Sequence, residues 1–117
     1  MKQAILLSLI LLYFPIISSA QNQQDDIVRL WDADKAQVEV YKSEDRYIGN
    51  PLDKEGQRVE QIEMLNLEFK DGKWVGKIYA KKRDRYFDVV GDVKGDKLHL
   101  TIDAGFKSKD VEWTRVR

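Results

Sequence analysis

The sequence predicts an all-β protein, a small up-and-down antiparallel β-barrel of about eight strands. Three observations carry that prediction. Apolar residues recur mostly at every second position, the period of a strand with one buried face. Turn signals separate these runs at short, fairly even spacing. No segment carries a helical stripe of useful length; Glu60 to Leu67 could form one turn, but Asp71-Gly72 limits it. Closing such a sheet on itself removes exposed edges, which a small all-β protein must manage.

The elements follow in chain order. Ile27 to Trp31 reads as the first strand. Ala36, Val38 and Val40 alternate with Gln37, Glu39 and Tyr41 in the second. Arg46 to Asn50 is a third, closed by Pro51, which cannot donate to a ladder. Residues 52–60 are charged, carry Gly56 and read as a loop. Leu65, Leu67 and Phe69 share one face of the next strand. Asp71-Gly72 is a two-residue hairpin signal, because both residue types tolerate the positive φ that such a turn demands. Trp74, Ile78 and Ala80 share a face after it, and Lys81 to Arg85 is a charged tip. Tyr86 to Val93 is another strand, and either Phe87 and Val89 or Tyr86 and Val90 face inward. Gly95-Asp96 turns the chain into Leu98, Leu100 and Ile102. Ala104 to Lys109 is a loop, and Val111, Trp113 and Arg115 share a face of the last strand.

Composition excludes several function classes. The chain has 117 residues, which bounds it to one domain. Lys plus Arg number 20 and Asp plus Glu number 20, so the basic excess of a nucleic-acid binder is missing, and no nucleic-acid partner is expected. There is no cysteine, hence no disulfide, thiolate chemistry or Cys-based metal site, and the single histidine excludes a His-rich one. Met1 to Ala20 has the pattern of a cleavable signal peptide: Lys2, an apolar run from Ala4 to Ile17, then Ser18-Ser19-Ala20. Residues 21–24 read as a flexible leader, and 25–117 as a single barrel domain, periplasmic or secreted.

Four segments resemble a known family. They are Ile27-Val28-Arg29-Leu30-Trp31, then Val38-Glu39-Val40-Tyr41 with Tyr47-Ile48-Gly49, then Gly72 to Tyr79, then Trp113-Thr114-Arg115-Val116. Their order and spacing resemble the exported bacterial family called domain of unknown function 2147, over residues 25–117. That resemblance implies a lipocalin-like barrel, similar in shape to fatty-acid-binding proteins, with no established activity. It also implies that Arg115 of the last strand packs its guanidinium over Trp31 of the first. Two departures matter. Arg29 stands where the family has glycine, on the face of Trp31, so the barrel must hold a charge there or splay. The family's long segment after the third strand is cut down to 51–60, which bears on whatever gates a ligand.

Chemistry-bearing residues are few. His99 lies opposite Leu98, Leu100 and Ile102 and should face solvent, and only Ser43 and Ser108 remain as serines after the leader. No nucleophilic triad, calcium loop or phosphate loop is present, and no cofactor, metal or enzymatic activity is expected. Asp88 is a weak candidate for a perturbed acid, if Tyr86 and Val90 turn inward. Lys81 to Arg85 is the only basic cluster; it suits an anionic lipid or partner, or simply a solvated tip.

The apolar faces are the main signal. An eight-stranded barrel is just wide enough to be filled by side chains or to hold one small ligand. In the first case the protein is a non-enzymatic envelope interaction module. Its partner would be an envelope protein or a second copy, reached through a first strand that is apolar on both faces, with Val28 and Leu30 opposing Ile27 and Trp31. In the second case it binds an apolar or fatty-acid-like ligand. The candidate interior residues are Trp31, Tyr41, Trp74, Tyr79, Trp113 and Arg115, with Arg115 pairing a ligand carboxylate and the tyrosines donating hydroxyls.

Overall fold

The computed structural model describes residues 23–117. The signal peptide read at Met1 to Ala20 and the first half of the leader lie outside the described residues. Eight antiparallel strands close into an up-and-down barrel. They are β1 (Leu30–Asp32), β2 (Gln37–Ser43), β3 (Arg46–Pro51), β4 (Leu65–Lys70), β5 (Lys73–Ala80), β6 (Arg85–Lys94), β7 (Lys97–Asp103) and β8 (Ser108–Arg115). Each strand pairs with its chain neighbour, and β1 closes the ring on β8 through Trp31 opposite Arg115 and Asp32 opposite Thr114.

Alternation decides what fills the barrel. Val38 and Val40, Leu65 and Leu67, Trp74 and Ile78, and Leu98 and Leu100 join Trp31, Tyr47, Val89 and Trp113 in one core cluster. In β6 the inward set is Phe87 and Val89, with Val89 1% exposed against 38% for Val90 and 50% for Tyr86. That choice sends Asp88 outward, where it pairs with Lys77 of β5. His99 is exposed on the outer wall, 3.3 Å from Glu112.

Local chemistry explains the turns and one tight wall contact. Asp71 and Gly72 both have positive φ, 54° and 81°, as the expected hairpin requires. At Gly76, the constraint is space rather than φ. A Cβ there would lie 2.0 Å from the Asn66 carbonyl oxygen and 2.9 Å from the Leu67 Cα, both rigid backbone, so β4 and β5 approach this closely only over a glycine.

Two expectations need correction. The first strand begins at Leu30, not Ile27, because Asp25–Ile27 form a 3-10 turn. Arg29 therefore precedes the strand and is half-buried on the surface, so no charge enters the core. The Gln24 carbonyl, at the end of the leader, accepts the Trp74 indole N–H at 3.1 Å. The 52–64 segment is also more ordered than its composition suggests. It lies on the outer wall of β2 and β3: buried Asn50 donates to the Ile62 carbonyl at 2.7 Å and accepts the Tyr41 hydroxyl at 2.7 Å.

Candidate functional site

The two ends of the barrel are built differently. One end carries the tight turns β2–β3, β4–β5 and β6–β7, and the 3-10 turn folds across it. Trp31 donates its indole N–H to the Ile27 carbonyl at 3.0 Å, and Trp74 donates to Gln24. Tyr47 donates its hydroxyl to Asp25 at 3.1 Å. Ile27 is fully buried beneath this cover, and Phe69 meets Trp74 edge to face at 5.0 Å between ring centres. Burial, together with the hydrogen bond to Asp25 and the charge of that carboxylate, pushes the Tyr47 phenol up to about 12. Both indoles and the phenol thus find partners in one short segment, so a plug of this size seals the end with no buried polar side-chain atom left unpaired among the described residues.

At the other end the barrel is open. A cleft of about 660 Å³ lies between the ends of β5 and β7 and the starts of β6 and β8. Met64, Phe87 and Ile102 make its apolar lining, all three half-buried and packed on the edge of the core cluster. Lys81, Lys82, Arg83, Lys107 and Lys109 surround them, and among the described residues no acidic side chain lines the cleft. Register explains the assembly: Ala80 pairs with Arg85, and Ile102 pairs with Lys109, so the two loops meet at one rim. Arg83 and Arg85 extend over the Phe87 ring, 5.9 and 4.9 Å from its centre. Such a site offers apolar contact below and positive charge above, which suits an amphiphile with an anionic head.

The residues proposed from the sequence divide among three places. Trp31, Trp74 and Trp113 are inside, 0%, 2% and 4% exposed, and they fill the core rather than line the open cleft. Tyr41 is on the outer wall, its ring under the Arg58 guanidinium at 4.2 Å and its hydroxyl held by Asn50. Tyr79 borders the open cleft, but its hydroxyl donates to Asp84 at 2.6 Å, a bond that raises its pKa above the usual tyrosine value. Arg115 is exposed. It stays opposite Trp31 in register, yet β8 ends there, so its side chain runs past the wall into solvent; the arginine–aromatic stacks found among the described residues use Arg58, Arg83 and Arg85 instead. Leu30 is buried, which reduces the apolar outer side of the first segment to Val28 and the neighbouring Val116, 36% and 41% exposed.

Sequence reasoning singled out Lys81 to Arg85 but missed its partners. Lys107 and Lys109 sit more than twenty residues further on, and only the pairing of β6 with β7 and β7 with β8 unites them. The available signal was the alternation itself, which places Lys109 on the inward face two positions before Val111. Comparison of the chain with family models, curated proteins and solved structures found no match.

Proposed function

We propose that this protein is a non-enzymatic carrier or sensor that holds an amphiphile with an anionic head, such as a fatty acid, at the open mouth of its barrel. The observation that carries the reading is the cleft of about 660 Å³ with an apolar lining and a rim of five cationic side chains. Its size falls within the range of ordinary ligand sites. The filled core favours a ligand lodged at the mouth over one swallowed whole, because three tryptophans already occupy the interior. A chain end would rest on Phe87 and Ile102, and a carboxylate would meet Lys107 or Lys109. Location outside the cytoplasm belongs to the same proposal and rests on the leader pattern of Met1 to Ala20, as does kinship with the domain of unknown function 2147 family on the four quoted segments.

Titration with a fluorescent fatty acid, read through the probe's own emission, tests the proposal. The tryptophans are poor reporters here because none lines the cleft. Saturable one-to-one binding is expected, displaced by an unlabelled fatty acid and much less by the matching fatty alcohol. Replacing Lys107 and Lys109 by glutamate should weaken binding of the acid at least tenfold, since each charge-assisted contact contributes on the order of 1.5–3 kcal/mol. Absence of saturable binding, or equal affinity for acid and alcohol, would sink the proposal.

A further inference from the structure

The loop between β7 and β8 exposes an aromatic ring that the barrel does not need. Phe106 is 95% exposed. Its exposure is built into a closed turn: Gly105 has φ 95°, its N–H donates to the Asp103 carboxylate at 3.0 Å, and the Ala104 N–H donates to the Lys107 carbonyl at 3.0 Å. A second, smaller cleft of about 470 Å³ joins this loop to the β5–β6 tip, with Phe106 beside Tyr86, Arg83 and Arg85. Tyr86 is itself 50% exposed. Two exposed rings and several cations therefore occupy one shoulder of the open end.

We infer that this shoulder docks on an anionic lipid bilayer, with Phe106 entering the boundary between headgroups and acyl chains and Arg83, Arg85 and Lys107 facing the lipid phosphates. Charge distribution supports that occupant. The nearby acids Asp84, Asp88 and Asp103 keep their charge but are outnumbered by Lys77, Arg83, Arg85 and Lys107, with Lys81 and Lys82 beside them. The segment after β3 carries Asp53, Glu55, Glu60 and Glu63, and it reaches the β5–β6 side through Gln61 and Ile62 beside Tyr79, Lys81 and Tyr86 rather than the β7–β8 loop that bears Phe106. An anionic surface attracts the basic loops and repels that acidic segment, so the barrel would approach with the β7–β8 loop leading. A ring at the tip of a fixed loop adds apolar contact at little ordering cost, and the cations add the long-range attraction. Docking does not require the mouth to be occupied, so it stands or falls separately from ligand binding.

Co-sedimentation with lipid vesicles tests this, using residues 21–117, which keep every described residue and the whole core. Binding is expected to vesicles of phosphatidylcholine mixed with phosphatidylglycerol, weak binding to phosphatidylcholine alone, and release as salt is raised. Arg83→Ala with Arg85→Ala should lower vesicle affinity roughly 25-fold, about fivefold for each cation near the surface. Phe106→Ala should lower it severalfold without changing the circular dichroism spectrum, because the ring packs against little in the fold. Equal binding to neutral and anionic vesicles overturns the inference, as does no binding to either. Loss of binding in the arginine variant with none in Phe106→Ala also overturns it, and assigns the shoulder to a soluble polyanion. A fatty-acid titration that fails while vesicles still bind removes the carrier proposal and leaves docking intact.

Discussion

The sealed end and the open end of this barrel use the same backbone geometry to opposite purposes. At the sealed end, every large side chain has a partner: two indole N–H groups and one phenol are satisfied by Gln24, Asp25 and Ile27. At the open end, Met64, Phe87 and Ile102 are half-buried, the cations around them are exposed, and the ring at the loop tip, Phe106, is almost fully exposed. The difference teaches where stability and function sit. Close packing with complete hydrogen bonding stabilises the fold and leaves nothing to bind. Unspent apolar surface beneath exposed charge contributes little to stability and leaves a site.

The largest test of that contrast is a pair of truncations. Trp31→Ala removes a fully buried ring from the sealed end and should cost about 3–5 kcal/mol, much of what a domain of this size possesses. Ile102→Ala, at the mouth, should cost about 1 kcal/mol because its side chain is only half-buried. Chemical denaturation of both variants measures the difference. Similar costs would mean that the mouth is packed as tightly as the plug.

Tyr47 sharpens the comparison from the side of protonation. Its phenol is held protonated up to about 12, by burial first and then by Asp25, against an ordinary value of 10.0. The folded state thus keeps its proton to higher pH than the unfolded chain. The stability from this group is fully present below pH 10.0 and is lost as pH rises from there through about 12. Thermal melts across that alkaline range should show the decline, and Tyr47→Phe should flatten it while costing about 1 kcal/mol at neutral pH. An unchanged alkaline profile in the variant would place the loss elsewhere.

Much of this architecture is legible in the sequence, and the rest has identifiable physical reasons for being hidden. Strand alternation reads directly because a period of two has one buried face, and Asp71-Gly72 reads directly because few residue pairs accept two positive φ values. The N-terminal turn is harder. Ile27 and Trp31 are four apart, a spacing that fits one face of a continuous strand, yet the chain turns as a 3-10 segment up to Ile27 and Trp31, in β1, donates its indole N–H back to the Ile27 carbonyl. The mouth is hidden for another reason. Lys81 to Arg83 lie in the β5–β6 loop and Lys107 and Lys109 at the β7–β8 loop and the start of β8, and no local pattern announces that ring closure will face them across one cleft.

At the mouth, charge should matter for binding and hardly at all for folding. Lys81→Ala with Lys109→Ala should leave stability within about 0.5 kcal/mol, as exposed substitutions without partners do. Fatty-acid affinity should fall severalfold in the same variant, and the salt dependence of binding should weaken. A melting temperature that drops with affinity would instead make these lysines part of the fold.

Arg115 is expected to show the smallest effect, and it separates alternation from position. Its parity with Trp113 and its register opposite Trp31 both point it inward, yet it is the last residue of β8 and is exposed. Only its backbone is engaged, with its N–H donating to the Asp96 carbonyl at 2.7 Å. Arg115→Ala keeps that bond, so stability should change by less than about 0.5 kcal/mol and ligand affinity should not change. A guanidinium clamped over the Trp31 indole would behave otherwise, costing about 1–2 kcal/mol on removal and altering the near-ultraviolet signal of the tryptophans. Face is thus set by residue parity, but burial also needs wall on both sides, and the wall stops at this residue.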